Sequence, residues 1–286
     1  MKITILETEQ EFFNLVGWRV AMEMTKQPEA LFGFSTGRTT GGIHAAMAEI
    51  YKKYKFDTSR LSVFGIDEIT NISPEYFGSC YYMLLHEIVK PLGIPLENYI
   101  MPPTYSDDFE QECVNFEAAL KARGDVVLQV LGLGENGHIG FNQPGTPFGS
   151  RTWLSKMDEA LDERIRRETN SPPGAQLDGL TLGITNLMHS KKILLVANGE
   201  RKAQIVRDTV CGPVTEDVPS SILQLHPDCE LIVDAAAGKL VRLEAGNDSC
   251  SCTNLNCENH RDCAACITSH ESKDYEPHCR RGGLGV

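Results

Sequence analysis

The sequence predicts an α/β fold: a doubly wound, mostly parallel sheet with helices on both faces, plus a small Cys-rich tail. Two observations carry that prediction. Short apolar runs, at residues 126–132 and 192–197, have the composition of strands buried on both faces. They alternate with segments whose apolar residues recur every three or four positions, the period of amphipathic helices. With 286 residues, 41% of them apolar, the chain can bury one large core.

The elements follow in order. Residues 1–6 alternate in the manner of an edge strand, and Thr8 followed three residues later by Glu11 predicts a capping box that opens a helix through Phe12, Val16 and Val20. Residues 29–34 form the next strand. It runs into Ser35-Thr36-Gly37-Arg38-Thr39-Thr40-Gly41-Gly42 and a helix carrying Ile43, Ala46 and Met47. Residues 61–66 make a third strand, ending in Asp67-Glu68. A helix over 79–89 is expected to close at Pro91 and Gly93. From Ser106 another helix places Phe109, Cys113, Phe116 and Leu120 on one face. The strand at 126–132 follows, then a glycine-rich loop. A charged segment at 156–170 and a Pro-Pro-Gly break lead to strands at 192–197 and 230–233, with a helix after Gly199-Glu200-Arg201-Lys202.

Composition narrows the function. The formal net charge of −12 disfavours a nucleic-acid backbone or an anionic membrane surface as partner, while a small anion needs only a local positive site. The N-terminus has no basic stretch leading into an apolar one, and no apolar run approaches 18 residues, so a soluble, cytoplasmic protein is expected. Cys80, Cys113, Cys211 and Cys229 are scattered through the body and are expected to be buried small apolar groups.

Three polar clusters, at 35–42, 67–68 and 135–143, each follow a strand at its C-terminal end, the edge where ligands bind in open α/β sheets. The first offers backbone N–H groups, hydroxyls and a helix N-terminus, which suits a phosphate; an ordinary Gly/Ser/Thr turn has the same composition. It is no Walker loop, because no Gly-Lys-Ser/Thr follows. Gly132-Leu133-Gly134-Glu135-Asn136-Gly137 fits the dinucleotide fingerprint by letter. The next residues, His138-Ile139-Gly140-Phe141-Asn142-Gln143-Pro144-Gly145, oppose the helix that fingerprint requires. His138 is either a satisfied structural histidine or an acid/base working beside a carboxylate from another strand end; Asp67 is either a turn residue or that carboxylate.

The segment from Leu133 to Gly145 resembles the signature G-x-G-x-D-G-H-I-A-F-N-E-P-G of the glucosamine-6-phosphate deaminase family. The resemblance extends through Ser35 to Thr39 (its phosphate loop), Ile66-Asp67-Glu68, and residues 180–202, where the phosphate-contacting lysine falls on Lys202. It implies that Asp67 shuttles a proton between C2 and C1 of an opened amino-hexose 6-phosphate, that His138 assists ring opening, and that ammonia leaves C2. The same resemblance assigns phosphate binding to Ser35, Thr36, Gly37, Arg38, Thr39 and Lys202, with no cofactor for catalysis.

Two positions depart from the signature: Asn136 stands for its aspartate and Gln143 for its glutamate, so neutral amides replace two carboxylates around His138. Asn136 and Gly78-Ser79-Cys80 resemble the galactosamine-6-phosphate branch, which implies that epimer as the preferred substrate, although that branch keeps the glutamate. The family's lid arginine aligns with Thr169, with Arg164, Arg166 and Arg167 nearby. Rival readings are a sugar-phosphate isomerase that releases no ammonia, a lactonase, and a non-catalytic sugar-phosphate sensor. A small phosphorylated sugar is the expected partner, and a homo-oligomer is compatible with the sequence.

From about residue 239 the composition shifts. Cys250, Cys252, Cys257, His260, Cys263, Cys266 and Cys279 have the spacing of zinc ligands, and a subset is expected to hold a structural zinc. So short a segment buries little core, and metal binding can supply ~10–16 kcal/mol toward folding it. The chain thus divides into a sugar-phosphate domain at 1–238 and a zinc-binding module at 239–286.

Overall fold

The computed structural model describes residues 1–241 apart from 158, 172 and 175. The cysteine-rich pattern from Cys250 to Cys279 lies outside the described residues.

Thr8 caps the first helix as its sequence requires. β1 (Lys2–Leu6) leads into α1 (Glu9–Lys26), whose capping box pairs the Thr8 hydroxyl with Glu11 N–H and the Glu11 carboxylate with Thr8 N–H. β2 (Leu31–Phe34) runs into α2 (Arg38–Tyr54), and β3 (Ser62–Gly65) is followed at once by β4 (Asp67–Ile69). α3 (Cys80–Leu84), a π-helical turn (Leu85–Val89) and α4 (Lys90–Leu92) form one continuous run. Pro91 lies inside that run and does not close it. Gly93, in the left-handed conformation at φ 65°, does.

β5 (Tyr99–Ile100), α5 (Phe109–Ala122), β6 (Val126–Gly132), β7 (Trp153–Lys156), α6 (Glu159–Thr169), β8 (Asp178–Thr181), α7 (Ile184–Met188), β9 (Lys192–Ala197), α8 (Ala203–Cys211) and β10 (Cys229–Asp234) complete the order. Asp108, rather than Ser106, caps α5 by accepting from Gln111 N–H at 3.0 Å.

Seven parallel strands form the main sheet in the order β1-β10-β9-β6-β2-β3-β5. The pleat sends alternate residues to opposite faces. Leu194 and Val196 join Phe12, Val16, Ile43 and Met47 under α1 and α2, whereas Ile193 and Leu195 join Phe116, Leu187 and Val206 under α5, α7 and α8. The doubly wound prediction is met. Cys80, Cys113 and Cys229 are buried as expected, but Cys211, at the last turn of α8, is exposed.

A second sheet departs from the sequence reading. β4, β8 and β7 pair antiparallel, and α6 with Ile69, Phe141, Met157 and Leu177 builds a separate small core there. The segment read only as charged therefore begins at the last residue of an edge strand, β7, and contains the helix α6. The chain crosses between the sheets at Ile66, whose N–H donates to Phe34 of the main sheet at 3.2 Å and whose carbonyl accepts from Leu182 N–H at 2.9 Å. Asp67 follows that crossing.

Candidate active site

Parallel register puts the C-terminal ends of β2, β3, β6 and β9 on one edge, since Phe34 aligns with Gly65 and Val130, and Gly132 with Val196. The loops leaving those ends carry the residues singled out in the sequence.

Ser35 is buried and structural in its contacts: its hydroxyl donates to Val130 O at 3.0 Å and accepts from Gly132 N–H at 3.1 Å, tying the first loop to β6. Gly37, at φ 132°, takes a backbone conformation that side chains rarely adopt, and it caps α2 without a side-chain hydrogen bond. The first turn of α2 thus points its N–H groups at the edge of the sheet. Arg38 is exposed there, and the Thr39 hydroxyl donates to Asn198 Oδ1 at 2.5 Å. Lys202, from the 3-10 turn Glu200–Lys202, reaches the Leu133 carbonyl at the start of the histidine loop.

That loop is built around the ring of His138. A Cβ at Gly134 would lie 2.2 Å from the imidazole, so only glycine leaves room for it. Asn136 Oδ1 takes His138 N–H at 3.2 Å and Nδ1 at 2.6 Å, while Asn136 Nδ2 donates to Gln143 Oε1 at 3.1 Å. The two amides that replace the family's carboxylates therefore form a chain onto the histidine. Because Oδ1 is an acceptor, the ring proton sits on Nδ1 and Nε2 keeps its lone pair. Desolvation and the positive charges of Arg164 and Lys202 pull the imidazole down to about 4.

Asp67 lies against the far end of the histidine loop. Gly140, at φ 59°, brings the histidine loop so close that a Cβ there would lie 3.4 Å from Asp67 Oδ2 and 2.7 Å from Thr181 Oγ1. Burial pushes the Asp67 carboxyl up to about 7, opposed by a hydrogen bond from the Cys80 thiol. Its neighbour Glu68 is fully buried and accepts from the N–H groups of Ile69, Cys80 and Tyr81 at 2.7–2.8 Å, stapling the N-terminus of α3 to β4. Burial also raises Glu68, to about 7, against three donors that favour its anion.

Asn142 is a scaffold residue. Its Nδ2 donates to the carbonyls of Ile139 and Leu182, and its Oδ1 accepts from Trp153 Nε1 at 3.1 Å, so the loop is fastened to the small sheet. Thr169 is tied by its carbonyl to the Tyr76 hydroxyl at 2.9 Å, and Arg166 pairs with Asp162 at 2.7 Å. Arg164, of the cations on α6, is the one that acts on His138. Cys80 was not among the residues the sequence selected for the site. Its signal was the Ser79 N-cap, which fixes where α3 begins.

Among the described residues, no three His, Cys, Asp or Glu side chains converge as a metal site, and no helix is long and apolar enough to cross a membrane.

The family of glucosamine-6-phosphate isomerases/6-phosphogluconolactonase matches residues 8–232. A glucosamine-6-phosphate deaminase of Clostridium acetobutylicum is 35% identical over 241 residues, 84% of this chain and 100% of its own. One from Thermoanaerobacter pseudethanolicus is 32% identical over 241 residues, covering 84% of this chain and 95% of its own. Among solved structures, a monomeric glucosamine-6-phosphate deaminase superposes with a TM-score of 0.78 at 30% identity, over 84% of this chain and 100% of that one. The 6-phosphogluconolactonase of Thermotoga maritima, at 18% identity and a TM-score of 0.64 over 82% of this chain and 99% of its own, shares the fold. Matched over most of its length and carrying the signature loop around His138, the chain is an enzyme of the glucosamine-6-phosphate isomerase/6-phosphogluconolactonase family.

Proposed function

We propose that this is a cytoplasmic, metal-independent deaminase that converts an amino-hexose 6-phosphate to a ketohexose 6-phosphate and ammonia. The observation that carries the reading is the approach of the histidine loop to Asp67, with Gly140 filling the gap between them. The loop 36–39, fixed to β6 by Ser35, the α2 N-terminus and Lys202 hold the phosphate. His138, neutral with a bare Nε2, takes the proton of the C1 hydroxyl and returns it to the ring oxygen as the C1–O5 bond breaks. Asp67, as carboxylate, takes the proton from C2 and delivers it to C1. As the C1 oxygen takes a proton given up by the C2 amino group, C1 becomes a hydroxymethyl carbon and C2 an imine, to which water adds before ammonia departs. Ring opening, the C2-to-C1 shift and ammonia loss all proceed through proton transfers, so positioning supplies much of the rate.

Asn136 and Gly78-Ser79-Cys80 favour galactosamine 6-phosphate, whereas the relatives bear the glucosamine name. Ammonia release from each sugar, with Asp67→Asn as control, decides both points. Turnover with at least one epimer, lowered about 10²–10⁴-fold by the substitution, is expected for loss of a general base. Sugar binding without ammonia would favour the isomerase or sensor reading, and no binding would end the amino-sugar reading.

The segment 239–286 is proposed as a separate module in which some of Cys250, Cys252, Cys257, His260, Cys263, Cys266 and Cys279 bind zinc. About one zinc per chain in the full-length protein supports this, and a metal-free preparation with an unchanged tail overturns it.

A further inference from the structure

Among the described residues, the thiol of Cys80 is the group that hydrogen-bonds the Asp67 side chain, with Sγ 3.9 Å from Oδ1. The thiol is held from three sides. Cys80 N–H donates to Glu68 Oε1 at 2.8 Å, Ser79 caps the same helix turn by accepting from Tyr82 N–H at 3.0 Å, and the Thr36 hydroxyl donates to Sγ at 3.2 Å. Cys80 is 3% exposed, so water does not compete for either contact.

The direction of these bonds is fixed by chemistry. With Thr36 donating to sulfur, the S–H is left to point at a carboxylate oxygen, that of Asp67 or of its neighbour Glu68. Burial and the two nearby carboxylates push the Cys80 thiol well above its ordinary range, so it remains S–H while Asp67 works. The other groups around Asp67 do not duplicate this contact. Glu68 is like-charged, accepts backbone N–H groups and also bears on the Cys80 thiol; Thr181 Oγ1 accepts the N–H of Phe141 at 3.2 Å and donates its proton to the Leu182 carbonyl at 3.3 Å.

We infer that Cys80 is a positioning residue for the base: its S–H, polarised by Thr36, orients the ionised Asp67 carboxylate and links it to the loop proposed to grip the substrate phosphate. The inference rests on the reading of Asp67 as the base. A weak donor suits that role. It holds the carboxylate in place yet leaves it basic enough to remove a carbon-bound proton.

The test is the pH dependence of kcat/KM for ammonia release by the full chain and its Cys80→Ala, Cys80→Ser and Asp67→Asn variants. Without the donor, the ionised carboxylate is less favoured. In Cys80→Ala the acid limb should move up by about half to one pH unit, a three- to tenfold loss of kcat/KM below the limb, with KM above it changed less than about twofold. Cys80→Ser, which keeps a donor, should return the limb toward the native position. Should Cys80→Ala not fold, Cys80→Val, which fills the space without a donor, must show the same upward shift. An unmoved limb in the donor-free variant, whatever its stability, overturns the inference and leaves Asp67 as base. Retained turnover in Asp67→Asn is a different result: it removes the base reading, and the role of Cys80 with it.

Discussion

A 2.6 Å contact from Nδ1 of His138 to the amide oxygen of Asn136 decides how this imidazole can work, because it leaves Nε2 as an acceptor. Among the described residues no carboxylate holds the ring, and Arg164 and Lys202 both oppose its protonation. Asn136→Asp would place a negative charge at the same atom. An opposite charge at that range favours the imidazolium, so the His138 midpoint should rise from about 4 by roughly 1–3 units, read by proton NMR titration of the ring. Asp67 shows the reverse perturbation, raised from 3.8 to about 7 by burial. It is a base only when ionised, so kcat/KM should climb with pH and level off above about 7, not near the histidine value. The sign for stability is opposite. The folded state holds this proton more tightly than the unfolded chain, so the stability it contributes is full below pH 3.8 and is lost as pH rises through about 7. The same Asp67→Asn variant that loses turnover should consequently melt at higher temperature above pH 7.

At the scale of elements, the histidine loop depends on where backbone can approach backbone. Gly134 lies so close to the imidazole that Gly134→Ala must displace the ring. Turnover should fall by at least about 100-fold, the scale set by a misplacement of roughly 1 Å. Far-ultraviolet circular dichroism should stay native, because neither β6 nor α8 contains this residue. α3 is the second such element. Its first N–H groups are taken by Glu68 and its third by Ser79, so the helix start, and with it Cys80, is fixed to the strand that carries Asp67. The long amphipathic elements were legible beforehand: the Thr8/Glu11 box, the Phe109-to-Leu120 face and the apolar strands all formed where their local patterns put them. β4, β7 and β8 were not. They are three or four residues long and of mixed polarity, so their period carries little signal, and their pairing is entirely with distant chain. Pro91 misled for a local reason as well. The preceding π-helical turn at Leu85–Val89 lets the helical run pass through a residue that lacks the usual N–H donor.

Across the whole molecule, a net charge of −12 is set against local positive charge at the histidine loop, where Arg164 and Lys202 act on His138, so the sugar phosphate proposed as substrate would meet an otherwise acidic protein at a locally positive edge. Among the described residues the last strand of either sheet ends at Asp234, and every proposed catalytic and phosphate-binding residue precedes Cys211. A chain ending at Val241 should keep cooperative thermal unfolding and a kcat for ammonia release within about twofold of the full chain; loss of either would make the cysteine-rich segment part of the enzyme proper.

What the sequence determined by itself is local: strand and helix periods, the caps, the glycine-rich loops at strand ends, and the family signature with its two carboxylates replaced by amides. Side-chain type and spacing set these through contacts within a few residues. What only the tertiary structure decided is adjacency. Asp67 meets the loop of Gly140, and Thr36 meets Cys80, because parallel register and a chain crossing at Ile66 align strand ends dozens of residues apart. The perturbed carboxylate follows from that adjacency, since desolvation depends on what packs around a group and not on its neighbours in sequence.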